Sequence, residues 1–80
     1  MLNLYYKPTC PFCRRVLKVS EEFGVELNLF DISADLELRE ELIAKGGKTQ
    51  VPFLEDTEKG EMIYESNDII EYIRKNYTSV

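Results

Sequence analysis

Residues 5–13 read Tyr5-Tyr6-Lys7-Pro8-Thr9-Cys10-Pro11-Phe12-Cys13. The apolar and aromatic run from Leu2 to Tyr6 reads as a strand, and Pro8 ends it. Pro11 suits the first position of a helix, where its missing N–H is no loss. Cys13, Val16, Leu17, Ser20 and Phe23 then recur at helical spacing, and Gly24 offers a C-terminal stop. Cys10 and Cys13 therefore sit where a strand turns into a helix. A helix start presents unpaired N–H groups and the positive end of the macrodipole, which favour a thiolate over a thiol. Cys10 precedes the helix and is the exposed, ionisable sulfur. Cys13 lies three residues on, on the same face and more buried, within reach of Cys10. The pattern predicts disulfide exchange with Cys10 as nucleophile and Cys13 as resolving thiol.

The charge distribution points the same way. Net charge is −5, yet Lys7, Arg14, Arg15 and Lys18 all precede the first acidic residue, Glu21. A positive field around the cysteines favours thiolates and anionic substrates. Lys7 and Arg14 are its candidate activating charges, and Pro11 activates by starting the helix.

Composition excludes several functions. Two cysteines and no histidine cannot close a four-ligand zinc site in one chain, so no metal is expected. A Cys10–Cys13 disulfide closes too short a loop to staple the fold. The core must come from apolar packing, and 44% hydrophobic residues suffice for one domain spanning 1–80. The acidic balance argues against a nucleic-acid partner. No run is long enough to cross a bilayer, and the first residues lack the pattern of a secretory signal. A cytoplasmic monomer without membrane contact is expected, in a compartment where a Cys-x-x-Cys pair is redox-active or metal-binding rather than structural.

Beyond the first helix, Val25, Leu27 and Leu29 alternate with Glu26 and Asn28, predicting a second strand through Phe30. Asp31 or Ser33 is expected to cap a second helix with Leu38, Leu42 and Leu36 inward, stopped by Gly46-Gly47. Val51 to Glu55 is a third strand and Met62 to Tyr64 a fourth, joined by a turn at 57–60. Ser66 is expected to cap a last helix with Ile69, Ile70, Ile73 and Tyr77 on one stripe. The order is βαβαββα. It implies a parallel first pair through a right-handed crossover, an antiparallel hairpin, and a mixed four-stranded α/β sheet with helices on both faces.

The stretch 5–13 resembles the active-site segment of glutaredoxins, with a lysine three residues before the nucleophile. Gln50-Val51-Pro52-Phe53-Leu54 resembles the cis-proline loop of the thioredoxin fold. Tyr64-Glu65-Ser66-Asn67-Asp68-Ile69-Ile70 resembles the glutamate–serine motif of glutathione transferase N-terminal domains. The combination is closest to glutaredoxins built on a transferase-like domain. Other glutaredoxins carry Thr before the Val-Pro and Gly-Gly before the last helix, where this chain has Gln50 and Tyr64-Glu65.

The resemblance implies a glutathione-dependent oxidoreductase of a thioredoxin-like fold. It would reduce protein disulfides and glutathione mixed disulfides, with glutathione as co-substrate and no bound cofactor. It implies a cis Pro52 against the cysteine pair and a Val51 backbone pairing with the cysteinyl unit of glutathione. Glu65 and Ser66 would hold the γ-glutamyl end, with Asp68 able to meet its amino group. Lys7 and Lys48 would face the glycine carboxylate or the thiolate, and Gln50 borders the same site. Transferase-like relatives carry a second, helical domain, so conjugation activity is not expected of these 80 residues. Two other readings stand beside this one: a protein reduced by thioredoxin reductase, and a module binding glutathione or an iron–sulfur cluster bridged by two subunits.

Overall fold

A computed structural model describes residues 1–78. Leu2–Tyr6 forms β1, and Leu2, Asn3, Leu4 and Tyr5 are all buried. Strands flank β1 on both sides and helices cover both of its faces. The remaining elements are α1 (Pro11–Glu22), β2 (Asn28–Asp31), α2 (Leu36–Gly46), β3 (Phe53–Asp56), β4 (Glu61–Tyr64) and α3 (Ser66–Tyr77). The sheet order is β2-β1-β3-β4, parallel between β1 and β2 and antiparallel elsewhere. This is the thioredoxin-like α/β arrangement that the element order predicts.

Alternation along β1 sorts the core into two layers. Leu2 and Leu4 join Val16, Leu54, Ile69 and Ile73 under α1 and α3. Tyr5 joins Ile32, Leu42 and Phe53 on the α2 face. Tyr5 meets Phe30 edge-on at 5.1 Å between ring centroids, a favoured aromatic geometry.

The main differences from the sequence reading fall at four boundaries, beside one-residue extensions of the third strand to Asp56 and of the fourth back to Glu61. The second strand starts at Asn28 rather than Val25, because its only ladder is with Asn3–Tyr6 of β1. Val25 and Leu27 pack against the core from the loop before it, while Leu29 on this edge strand is 47% exposed. Asp35, not Asp31 or Ser33, caps α2: its extended backbone lets its side chain accept from the Glu37 N–H at 2.9 Å. Asp31 instead accepts from the N–H and hydroxyl of Ser33 in a local turn, and Leu36 points out, 66% exposed. The third strand begins at Phe53, after Pro52, which has no N–H for the ladder. Glu65 occupies the N-cap position of α3 with no side-chain cap, so Ser66 is the first helical residue rather than its cap.

Candidate active site

The turn from β1 into α1 places the two cysteines as their spacing predicts. Cys10 is the N-cap of α1, half-buried, and Pro11 holds the first helical position. The Cys13 backbone N–H donates to the Cys10 Sγ at 3.4 Å, so an orphan donor of the helix start faces the sulfur. No acidic residue lies in the first turn of α1. Both cysteines are free thiols. Cys13 is fully buried. Burial pushes its thiol up to about 12, and the neighbouring Cys10 adds to this, against a downward pull from the Lys7 backbone. The pair thus combines an accessible sulfur at a helix start with a protonated thiol beneath it.

A cleft of about 530 Å³ opens at the start of α1, bordered by Phe12, which stands between the two cysteines in the chain. Phe12 and Arg15 of α1 form one wall, Gln50, Val51 and Pro52 the second, and Glu65 to Asp68 at the start of α3 the third. The Val51–Pro52 bond is cis, as the resemblance implied. The Gln50 amide donates to Glu65 Oε1 at 2.8 Å, linking the loop before β3 to the start of α3. Glu65 has φ +72, the left-handed region that a non-glycine residue occupies only at a cost. That conformation turns the chain from β4 into α3 and leaves the first N–H groups of the helix at the cleft.

The other expected residues are placed as follows. Lys7 is exposed and lines a different groove, together with Arg39 at the first turns of α2. The Arg14 Nε donates to the Pro8 carbonyl at 2.9 Å, which fixes the turn ahead of Cys10. Lys48 lies over the Tyr64 ring, 4.7 Å from its centroid. Ser66 is buried at the floor of the cleft and Asp68 lines it. Arg15 and Asn67 escaped the sequence reading. The Arg15 Nη1 donates to Asn67 Oδ1 at 2.5 Å, tying α1 to α3 across the cleft. The available signal was spacing: Phe12 and Arg15 are three apart in α1 and so share a face. Among the described residues no cluster of His, Cys, Asp or Glu could hold a metal ion, and no helix is long and apolar enough to cross a membrane.

Comparison with known proteins bears on this geometry. Residues 4–79 match the family described as glutathione S-transferase, N-terminal domain. Glutaredoxin 3 of Escherichia coli is 35% identical over 51 residues, covering 64% of this chain and 61% of that protein. The chain thus spans less than two thirds of that relative. A probable glutaredoxin of Synechocystis sp. is 37% identical over 62 residues, covering 74% of this chain and 70% of that one. A delta-class glutathione transferase of Nilaparvata lugens superposes with a TM-score of 0.82 at 33% identity, over 100% of this chain and 38% of its own. Glutathione transferase Omega 3C of Trametes versicolor shares the fold, with a TM-score of 0.82 at 24% identity over 95% of this chain and 33% of its own.

Proposed function

The chain belongs to the glutathione S-transferase N-terminal domain family, with glutaredoxins among its relatives, and from that premise we propose that it is a glutathione-dependent thiol–disulfide oxidoreductase. One observation carries the reading: Cys10 Sγ sits at the start of α1, facing the Cys13 N–H at 3.4 Å, with a buried thiol beneath it. An accessible sulfur at a helix start and a resolving thiol three residues on are what disulfide exchange requires.

In this reading glutathione lies in the cleft. Its cysteinyl unit pairs with the Val51 backbone as a short added strand. Its γ-glutamyl carboxylate meets the free N–H groups at Ser66, and its ammonium group meets Glu65 or Asp68. Gln50 and Pro52 shape the wall between these contacts. The Cys10 thiolate attacks the glutathione sulfur of a mixed disulfide. A new Cys10–glutathione S–S bond forms, the old one breaks, and the released thiolate takes a proton from water. A second glutathione thiolate then attacks that sulfur, releasing glutathione disulfide and regenerating Cys10.

With a protein disulfide, Cys10 forms the mixed disulfide with the protein and Cys13 resolves it. The Cys13 thiol loses its proton, bonds to the Cys10 sulfur and expels the protein thiolate, so two electrons pass from the dithiol to the substrate. Part of what holds the Cys13 proton is the neighbouring Cys10, and that part vanishes once Cys10 is in a disulfide. The resolving thiol is therefore quiet before attack and easier to ionise after it.

The test is turnover of a small glutathione mixed disulfide with NADPH, glutathione and glutathione reductase. Wild type should turn over, and replacing the glutathione system by thioredoxin reductase should not support it. Turnover with thioredoxin reductase alone would replace glutathione as the electron donor.

A further inference from the structure

Strand β2 is an edge of the sheet and pairs only with β1. The Ile32 N–H donates to the Tyr6 carbonyl at 3.0 Å. By alternation Phe30 also faces β1, and the N–H and C=O groups of Leu29 and Asp31 face outward. The Asp31 carbonyl accepts from the Ala34 N–H at 3.3 Å, but the outward N–H groups of Leu29 and Asp31 meet no acceptor among the described residues. Edge strands are commonly blunted by lysine or proline. Asn28–Asp31 contains neither, and its Leu29 is 47% exposed. On the α1 side of this edge lies a groove of about 370 Å³, lined by Leu17, Ser20, Glu21, Val25, Leu27 and Leu29. Ser20 is 2% exposed, and its hydroxyl has no hydrogen-bond partner. At Leu27 the groove meets a second one, which runs along Glu26, Asn28 and Glu58. No lysine or arginine lines either groove, and Glu21 and Glu26 form no ion pair among the described residues. The edge thus combines unpaired backbone donors, an apolar floor, a buried hydroxyl without a partner and unopposed negative charge.

We propose that the β2 edge takes up an extended segment of a partner protein, in which basic and apolar side chains alternate, as an added strand of the sheet. Backbone bonds to Leu29 and Asp31 hold the segment along the edge. Alternation sends its arginine or lysine side chains over the α1 face. There the aliphatic stems lie on Leu27 and Leu29, and the charged ends reach Glu21 and Glu26. A guanidinium N–H supplies the donor that the Ser20 hydroxyl lacks. The apolar side chains fall on the other face, beside Phe30, which packs against the α2 layer. A second copy of this chain is the poorer occupant, because it would set the same carboxylates against one another. None of these residues lines the cleft, so the docking does not depend on the exchange reaction.

Amide NMR of the isotope-labelled chain, titrated with three capped peptides of one length, tests this. One peptide alternates Arg and Val, one alternates Glu and Val, and one carries the arginines in a block followed by the valines. The Arg–Val peptide should shift the amides of Leu27, Leu29 and Asp31 and slow hydrogen exchange at Leu29 and Asp31. It should bind about tenfold more tightly than either of the others, an advantage over the Glu–Val peptide that shrinks with added salt. Glu21→Gln combined with Glu26→Gln should weaken it about tenfold, with turnover of a small glutathione mixed disulfide unchanged. Ser20→Ala should weaken it about threefold while raising the urea midpoint, since a buried hydroxyl without a partner costs the fold. Unchanged affinity in Ser20→Ala would overturn the seating of the basic side chains in the groove. Equal binding by the block peptide, or shifts without slowed exchange at Leu29 and Asp31, would reduce the effect to charge attraction and overturn the added strand. No binding of the Arg–Val peptide by the folded chain would overturn it as well. Slow exchange at both amides in the free chain, with a dimer mass in sedimentation, would assign the edge to a second copy and overturn the partner.

Discussion

Cys10 and Cys13 have one side chain in two environments, and the proposed exchange depends on that difference. Cys10 ends the turn from β1 and faces the N–H groups of α1, whereas Cys13 is sealed against the core. Glu65 is the other residue whose position is unusual. It is the only non-glycine residue with positive φ among those described, and it stands at the cleft. Strain of this kind costs about 1–3 kcal/mol and is retained where geometry serves a site. Glu65→Gly should therefore raise stability by about 1 kcal/mol in urea unfolding, since glycine adopts this φ freely. The same change should raise the KM for glutathione, because a carboxylate is lost from the cleft. A variant less stable than wild type would show that losing the Gln50 hydrogen bond outweighs the relief of strain.

Among the elements, the C-terminal end of α2 fixes the loop that borders the cleft. Tyr64 of β4 donates its hydroxyl to the Lys48 carbonyl at 2.9 Å, and its ring stacks on Phe53 at 4.6 Å between centroids. It passes over Gly46, where a Cβ would come within 2.0 Å of the Tyr64 hydroxyl oxygen. Gly46→Ala should destabilise the fold by about 1–3 kcal/mol, although alanine is the better helix former. A urea midpoint that does not fall would show that the ring moves aside at no cost. The elements that the sequence announced were those with clear periodicity: β1, α1 and α3 each bury the stripe their spacing marks. The second strand misled because Val25 and Leu27 are apolar for packing from a loop, and alternation does not reveal which residues find a ladder partner. Leu36 is the first residue of α2, directly after its cap Asp35, and faces outward although it is apolar. The cysteines were legible in the site because chemistry, punctuation and helix start coincide within four residues. Arg15 was not, because what gives it meaning is a wall supplied by another segment, α3.

Across the whole molecule, Asp56 binds the hairpin to α3. It is fully buried. Its Oδ1 accepts from the N–H groups of Glu58 and Lys59, and its Oδ2 accepts from the hydroxyls of Tyr72 and Tyr77. Burial alone would raise its carboxyl, but these four donors outweigh it and hold the carboxyl below the usual carboxylate range. A depressed folded value means stability that is present above the unfolded value of about 3.9 and is lost as pH falls through the folded one. The partner hydroxyls mirror this. Hydrogen bonding to Asp56, then burial, lifts Tyr77 to about 12, so its contribution is present below about 10 and fades as pH rises towards the folded value. Asp56→Asn should cost about 3 kcal/mol at neutral pH and flatten the acid limb of a plot of stability against pH. An unchanged acid limb would place the acid sensitivity elsewhere. The account as a whole depends on the division of labour between the two sulfurs. Incubating Cys13→Ser and, separately, Cys10→Ser with glutathione disulfide, followed by intact-mass spectrometry, tests it most directly. The account predicts one glutathione attached to Cys10 in Cys13→Ser and none in Cys10→Ser, whose remaining thiol is buried and protonated. Ready modification of Cys13 in Cys10→Ser, with Cys10 unmodified in the other variant, would contradict it.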